Sequence, residues 1–188
     1  MKTPKKPEKI PVTVTFLEMT SQPAHYAPIP YNRPIALLKA RHMPNHFYRY
    51  LIDRIGRKWH WVNALRLSDE ELSGKLADPA RDIRVLHLDG VPAGMFEVAP
   101  LDEDMMELVY FGMMENAMGQ GIGRWFLGAA IEAAWSRSPQ RVVVQTCTLD
   151  HPAALPLYQK IGFNPVAQVR EEVRPMTLAE RAEILARP

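Results

Sequence analysis

The stretch 111-FGMMENAMGQGIGRWF-126 leaves an apolar segment, passes Gly119, Gly121 and Gly123, and enters a helical pattern. Glycines at alternating positions carry no Cβ to block close approach. Successive backbone N–H groups can therefore point at one anion while the positive end of the following helix adds to the attraction. The loop reads as a cradle for the pyrophosphate of a phosphorylated cofactor. A Walker A loop would need Gly-Lys followed by Ser or Thr, whereas Arg124 and Trp125 follow Gly123. The dinucleotide fingerprint G-x-G-x-x-G fails where Arg124 replaces its last glycine, and no acidic residue closes the next strand at 141–146.

Working outward, the run 105–113 reads as a strand entering the loop. The helix beyond the loop carries Ile122, Phe126, Ala129, Ala130, Ala133 and Ala134 on one face and stops near Ser138-Pro139. Val142-Val143-Val144 then reads as a buried strand. Strand, helix and strand form one parallel crossover unit, in which ligands bind at the strands' C-terminal ends. Upstream, Asp89-Gly90 between 82–88 and 93–98 signals a hairpin, and Ser68 with Glu71 makes a capping box for a helix to about Ala77. Asn45 is the expected N-cap of a helix over 46–55 that Gly56 ends. Eight prolines, from Pro4 to Pro44, confine regular structure before that helix to one strand at 12–19, followed by a long irregular surface segment.

The loop Met118-Gly119-Gln120-Gly121-Ile122-Gly123 resembles that of the GCN5-related N-acetyltransferases, whose pattern is Gln/Arg-x-x-Gly-x-Gly/Ala, with Met118 at the Gln/Arg position. Downstream, Ala154-Leu155-Pro156-Leu157-Tyr158-Gln159-Lys160-Ile161-Gly162-Phe163 resembles the family's A-x-x-LY-x-K-x-GF helix. The resemblance spans about 81–172. It implies an α/β fold with a mixed central sheet, a parallel, splayed strand pair and flanking helices, in the order β-α-α-β-β-β-α-β-α-β. It also implies acetyl-CoA as cofactor and direct transfer of the acetyl group to an amine. A small primary amine is the expected acceptor. A peptide or protein amine, or a non-catalytic acyl-CoA-binding role, stands as the alternative.

Length and composition fit such an enzyme. With 188 residues and 47% apolar content the chain is long enough for one core, expected over 11–188 behind a flexible basic tail at 1–10. Lys2, Lys5, Lys6 and Lys9 against Glu8 leave +3 in the first nine residues and −1 over the remainder of a chain whose total is +2. A near-neutral body lacks the basic footprint of a nucleic-acid binder. No apolar run reaches membrane-spanning length, and the single cysteine, Cys147, forms no intrachain disulfide, so a cytoplasmic protein is expected.

Acyl transfer to an amine needs a base for the amine, a donor for the oxyanion and a proton for the departing sulfur. Glu107 is the candidate base. It lies on the strand leading to the loop, on one face with Val109 and Phe111 by period two, and a carboxylate there is costly unless used or paired. The alternative is a cap on the hairpin that follows Asp102-Glu103-Asp104. The resemblance makes Tyr158 the general acid, with ring packing beneath the cofactor as its alternative. Phe111, Gly112 and Met113 would hold the cofactor's pantetheine arm through their backbone, and Met118, Gly119, Gly121, Ile122, Gly123 and Arg124 its pyrophosphate. Gly112 suggests a bulge or close approach, or a packing constraint. His151 is a candidate cofactor contact, while Asp150 reads as the N-cap of the last motif helix. Trp59 and Trp61 are the candidate acceptor pocket, with a nearby arginine available for a substrate carboxylate; ordinary loop packing explains them equally. Cys147 reads as a buried strand residue. His42 and His46 have helical ligand spacing that Pro44 breaks, so no metal is expected. The segment 177–187 reads as a capped amphipathic helix, packed on a second subunit of a homodimer or on its own core.

Overall fold

The computed structural model describes residues 7–30 and 33–188. Its strands are β1 (Ile10–Met19), β2 (Ile35–Lys39), β3 (Asp82–Leu88), β4 (Val91–Pro100), β5 (Met105–Met113), β6 (Arg141–Cys147) and β7 (Asn164–Val173). Its α-helices are α1 (Asn45–Gly56), α2 (Asp69–Leu76), α3 (Gly123–Trp135), α4 (Ala154–Ile161) and α5 (Leu178–Leu185). One mixed sheet runs through them in the order β2-β3-β4-β5-β6-β1-β7, with every neighbouring pair antiparallel except β5–β6.

The two faces of the sheet follow from the period-two alternation of its strands. Phe96, Val98, Leu108, Val142 and Val144 pack against Phe126, Ala130 and Ala134 of α3, with Tyr158 of α4 alongside. The other face sets Val85 and Met95 against Tyr48, Leu51, Ile52 and Ile55 of α1. The hairpin at Asp89-Gly90 forms with φ of 52° and 85°, the double left-handed turn that matches strand twist.

Two expectations are corrected. The segment between β1 and α1 is not wholly irregular: 35-IALLK-39 forms an edge strand on β3, a run too short to stand out among prolines before its partner is known. Asn45 does not cap α1. Pro44 occupies that position, and the Asn45 amide instead donates to Asp69 O at 3.1 Å and Ser73 Oγ at 2.9 Å, tying α1 to α2. Gly56 is the last residue of α1, as read, and it has a second role: a Cβ there would stand 2.3 Å from Trp61 Cβ, so the glycine also admits that indole. The capping box at Ser68 and Glu71 forms as read. At the C-terminus α5 packs on its own core: Arg181 reaches the buried Asp53 of α1 at 2.7 Å. Of the basic tail, residues 1–6 lie outside the described residues, while Lys9 pairs with Glu172 at 2.8 Å.

Candidate active site

The parallel pairing of β5 with β6 ends at Leu108 and Val144, although the strands continue to Met113 and Cys147. Beyond that point they diverge, and the β5 backbone groups on that edge lose their strand partners. A cleft of about 610 Å3 opens in the gap. From the α1 side it is lined by Trp59, Trp61, Glu107, Tyr110 and Gln145, and from the other side by Gly119, Gly123, Leu157 and Tyr158.

A bulge re-aims β5 at this point. Glu97 of β4 pairs with Tyr110 while Val98 pairs with Leu108, so Val109 is the extra residue. Past the bulge the alternation inverts. Glu107 shares its face with Tyr110 and looks toward α1, whereas Phe111 falls with Leu108 on the α3 face, where it packs on Phe126 with centroids 5.0 Å apart. The expected common face of Glu107, Val109 and Phe111 is therefore broken, because period two holds only in an unbulged strand. Gly112 is not the bulge. A Cβ there would meet Ile55 Cγ2 at 2.5 Å and Trp61 Cη2 at 2.9 Å, so the residue is a packing constraint that seats Trp61.

Glu107 is half-buried in the cleft wall and accepts a hydrogen bond from the Gln145 amide at 3.2 Å, with no part in the hairpin turn. Tyr158 is buried on α4, its ring set edge-on to Phe163 with centroids 5.9 Å apart. Burial, then the charge of Asp150, pushes its phenol well above the ordinary tyrosine value, and it stays protonated across the physiological range. The Cys147 thiol is also pushed up, chiefly by burial, which makes it a poor nucleophile.

Asp150 corrects its expected role as a cap, since Ala153 stands at the N-cap of α4. Its carboxylate instead gathers the cleft rim, accepting from Trp61 Nε1 at 3.2 Å, Thr146 Oγ1 at 2.8 Å and Cys147 N at 2.9 Å. A carboxylate thus fixes the indole that Gly56 and Gly112 make room for. The Trp61 ring lies 5.1 Å from that of Tyr110, and Trp59 meets His151 edge-on at 5.2 Å. His60, between the tryptophans, sits at φ 56° with its Nδ1 buried and unpartnered, the kind of local cost that collects at functional sites. Among the described residues no arginine lines this wall. Arg57 is held by Asp53, and Lys58 by Glu115.

The glycine loop has the features an anion requires. Gly119 and Gly121 take φ of 72° and 76°, and neither has an atom within 4 Å of where a Cβ would stand. α3 begins without a side-chain cap at Ile122, which leaves its first N–H groups free. An open, left-handed glycine pair at an uncapped helix start fits a pyrophosphate. Met118, Gly119, Gly123, Phe111, Gly112, Met113 and His151 all line the cleft. Gly121 and Arg124 are exposed beside it, and the Ile122 side chain is in the core, so that residue has only its backbone to offer.

Sequence reading missed Tyr110, Gln145, Glu171 and the buried carboxylate of Glu97. Glu97 carried the same signal as Glu107, a lone acid in an apolar strand; it is fully buried and takes the Tyr48 hydroxyl at 2.5 Å together with Arg81. Burial and Glu97 push Tyr110 up to about 12.

The model of the Acetyltransferase (GNAT) family matches residues 40–163. No curated protein matches the chain in sequence. Among solved structures, a GCN5-related N-acetyltransferase from Kribbella flavida superposes with TM-score 0.57 at 15% identity over 94% of this chain and 61% of its own. A GNAT family acetyltransferase from Elizabethkingia anophelis with acetyl-CoA bound gives TM-score 0.50 at 20% identity over 71% of this chain and 78% of its own. An aminoglycoside acetyltransferase from an uncultured soil metagenomic sample gives 0.52 at 18% identity, over 68% and 86%. The chain spans 54% to 67% of the length of several further relatives of this fold. Among the described residues no helix is long and apolar enough to cross a membrane.

Proposed function

This chain belongs to the GNAT acetyltransferase family, and from that premise we propose that it transfers an acetyl group from acetyl-CoA to the primary amine of a small molecule. The observation that carries the reading is the divergence of β5 from β6 beyond Leu108, which opens one cleft to the glycine loop on one side and to Glu107 on the other. Acetyl-CoA, when bound, supplies the activated acyl thioester. Gly119, Gly121 and the first N–H groups of α3 would hold its pyrophosphate, and the free edge of β5 at 109–113 its pantetheine amides.

The chain's own residues would then do the following. Trp59, Trp61 and Tyr110 wall the acceptor half of the cleft and exclude water there. Glu107, oriented by Gln145, takes a proton from the acceptor nitrogen directly or through a water. Backbone N–H groups near Phe111–Met113 stand ready for developing negative charge at oxygen. Tyr158, which keeps its Oη proton at neutral pH, donates it on the cofactor side. Calorimetry with acetyl-CoA should give saturable binding at one site per chain, and an amine panel should then release free thiol in proportion to acetylated product. Absence of acetyl-CoA binding sinks the reading; binding without turnover on any amine would favour the acyl-CoA-binding alternative.

A further inference from the structure

The charged side chains lining the cleft are Glu107, Asp150 and Glu171, and among the described residues no lysine or arginine lines it. Asp150 is committed to three donors within the protein. Among the described residues Glu107 has only the neutral Gln145 amide. Glu171 stands directly across the β1–β7 ladder from Val12, hence on the sheet face that Val12 turns to the cleft. Beside the tryptophans, Arg57 is engaged by Asp53 and Lys58 by Glu115; Lys75 is held by Glu97 at 3.6 Å, and Arg124 stands on the glycine-loop side of the cleft. His151 accepts the Ala153 N–H on Nδ1 at 3.0 Å. The remaining wall is largely apolar, and within it the faces of Trp61 and Tyr110 attract cations rather than anions.

Resting on the acetyltransferase reading and going beyond it, we infer that the acceptor is an amine that carries no carboxylate: an alkyl or arylalkyl amine or a diamine, entering as a cation, with the corresponding amino acid rejected. An α-carboxylate in this cleft would leave water, find no lysine or arginine on the described lining and face two like charges. Juxtaposition of that kind discriminates by about a hundredfold or more. An ammonium group meets the opposite situation, with two carboxylates and two π faces available to it.

The test compares matched acceptors at saturating acetyl-CoA and mildly alkaline pH: phenethylamine, phenylalanine and phenylalanine methyl ester, then cadaverine and lysine. The expected result is acetylation of both amines and of the ester, with kcat/KM for each free amino acid lower by about a hundredfold or more. Comparable turnover of the amino acids overturns the inference, as does rejection of the ester, which would make size and not charge the filter. Glu171→Arg, on an exposed edge strand, should narrow the gap between amine and amino acid by about tenfold; an unchanged gap removes Glu171 from the argument and with it the inference. Should acetyl-CoA bind and no acceptor turn over, the catalytic reading fails alone. The same compounds titrated against tryptophan fluorescence then decide the pocket: tighter binding of the amines upholds the inference, and equal or absent binding overturns it.

Discussion

Replacing Gly119 or Gly121 by alanine separates the glycine loop's conformation from its bulk. Both residues are exposed, both have positive φ, and neither Cβ would meet an atom within 4 Å, so the steric contribution is nil. What remains is the cost of holding an L-residue in the left-handed region, about 1–2 kcal/mol. An exposed loop escapes that cost by shifting locally, so the melting temperature should barely move. Binding, however, requires the left-handed geometry, and apparent affinity falls by the fraction of molecules that retain it. The same 1–2 kcal/mol then appears as an increase of about five- to thirtyfold in the acetyl-CoA Kd. Calorimetry on the two single variants measures this directly. Gly74→Ala, in the exposed interior of α2 with nothing within 4 Å of its Cβ, is the control: it should add about 0.5–1 kcal/mol of stability and leave Kd alone. Two results would refute the reasoning. Unchanged affinity in both loop variants would mean the loop is not the cradle, and a fall of several degrees in melting temperature would mean the glycines serve the fold.

Tyr158→Phe should keep the ring against Phe163, leave acetyl-CoA affinity unaltered and lower kcat by about a hundredfold or more, read as thiol release; an undiminished kcat removes the phenol from proton transfer. Glu107→Gln should lower kcat/KM by a similar factor without changing the melting temperature, since its only polar side-chain partner among the described residues is a neutral amide. Glu97→Ala strips the carboxylate that Arg81, Lys75 and the Tyr48 hydroxyl share, at about 3–5 kcal/mol, and thermal denaturation should show a drop on the order of 10 °C. Folding raises the pKa of Tyr48, Tyr110 and Tyr158. Their neutral forms therefore stabilise the protein below about pH 10 and that contribution is lost as pH rises, for Tyr110 between about 10 and 12. An ultraviolet titration should find these phenols silent until the chain unfolds, and a single reversible transition of all tyrosines near the ordinary value would contradict the burial.

Much of the architecture was legible because it rests on local signals. The glycine loop, the capping boxes at Ser68 and Thr177 and the turn at Asp89-Gly90 depend on residues within a few positions of one another. β2 was not legible: five residues of modest apolarity become a strand only because the edge of β3 offers unpaired backbone groups. Asn45 carried the right residue type for a helix start, yet contacts with α2 claimed it, and Gly56 ends α1 as read while its contact with Trp61 was not legible. Site residues divided in the same way. Glu107 stood out as an acid in an apolar strand and Tyr158 through the resemblance of its motif, whereas the bulge that turns Glu107 toward Tyr110 is a property of the pairing between β4 and β5.

By itself the sequence determined most of the order of elements, the open glycine loop ahead of α3 and the family to which the chain belongs, since periodicity, capping and glycine conformation act over short distances. Tertiary structure alone decided where β5 and β6 part, which face Glu107 occupies, and that Asp150, Trp61 and Tyr110 meet at one rim. It also decided that the arginine and lysine beside the tryptophans are engaged elsewhere. Register, divergence and ion pairing are settled between residues tens of positions apart, where burial and backbone hydrogen bonding override what any short window of residues prefers.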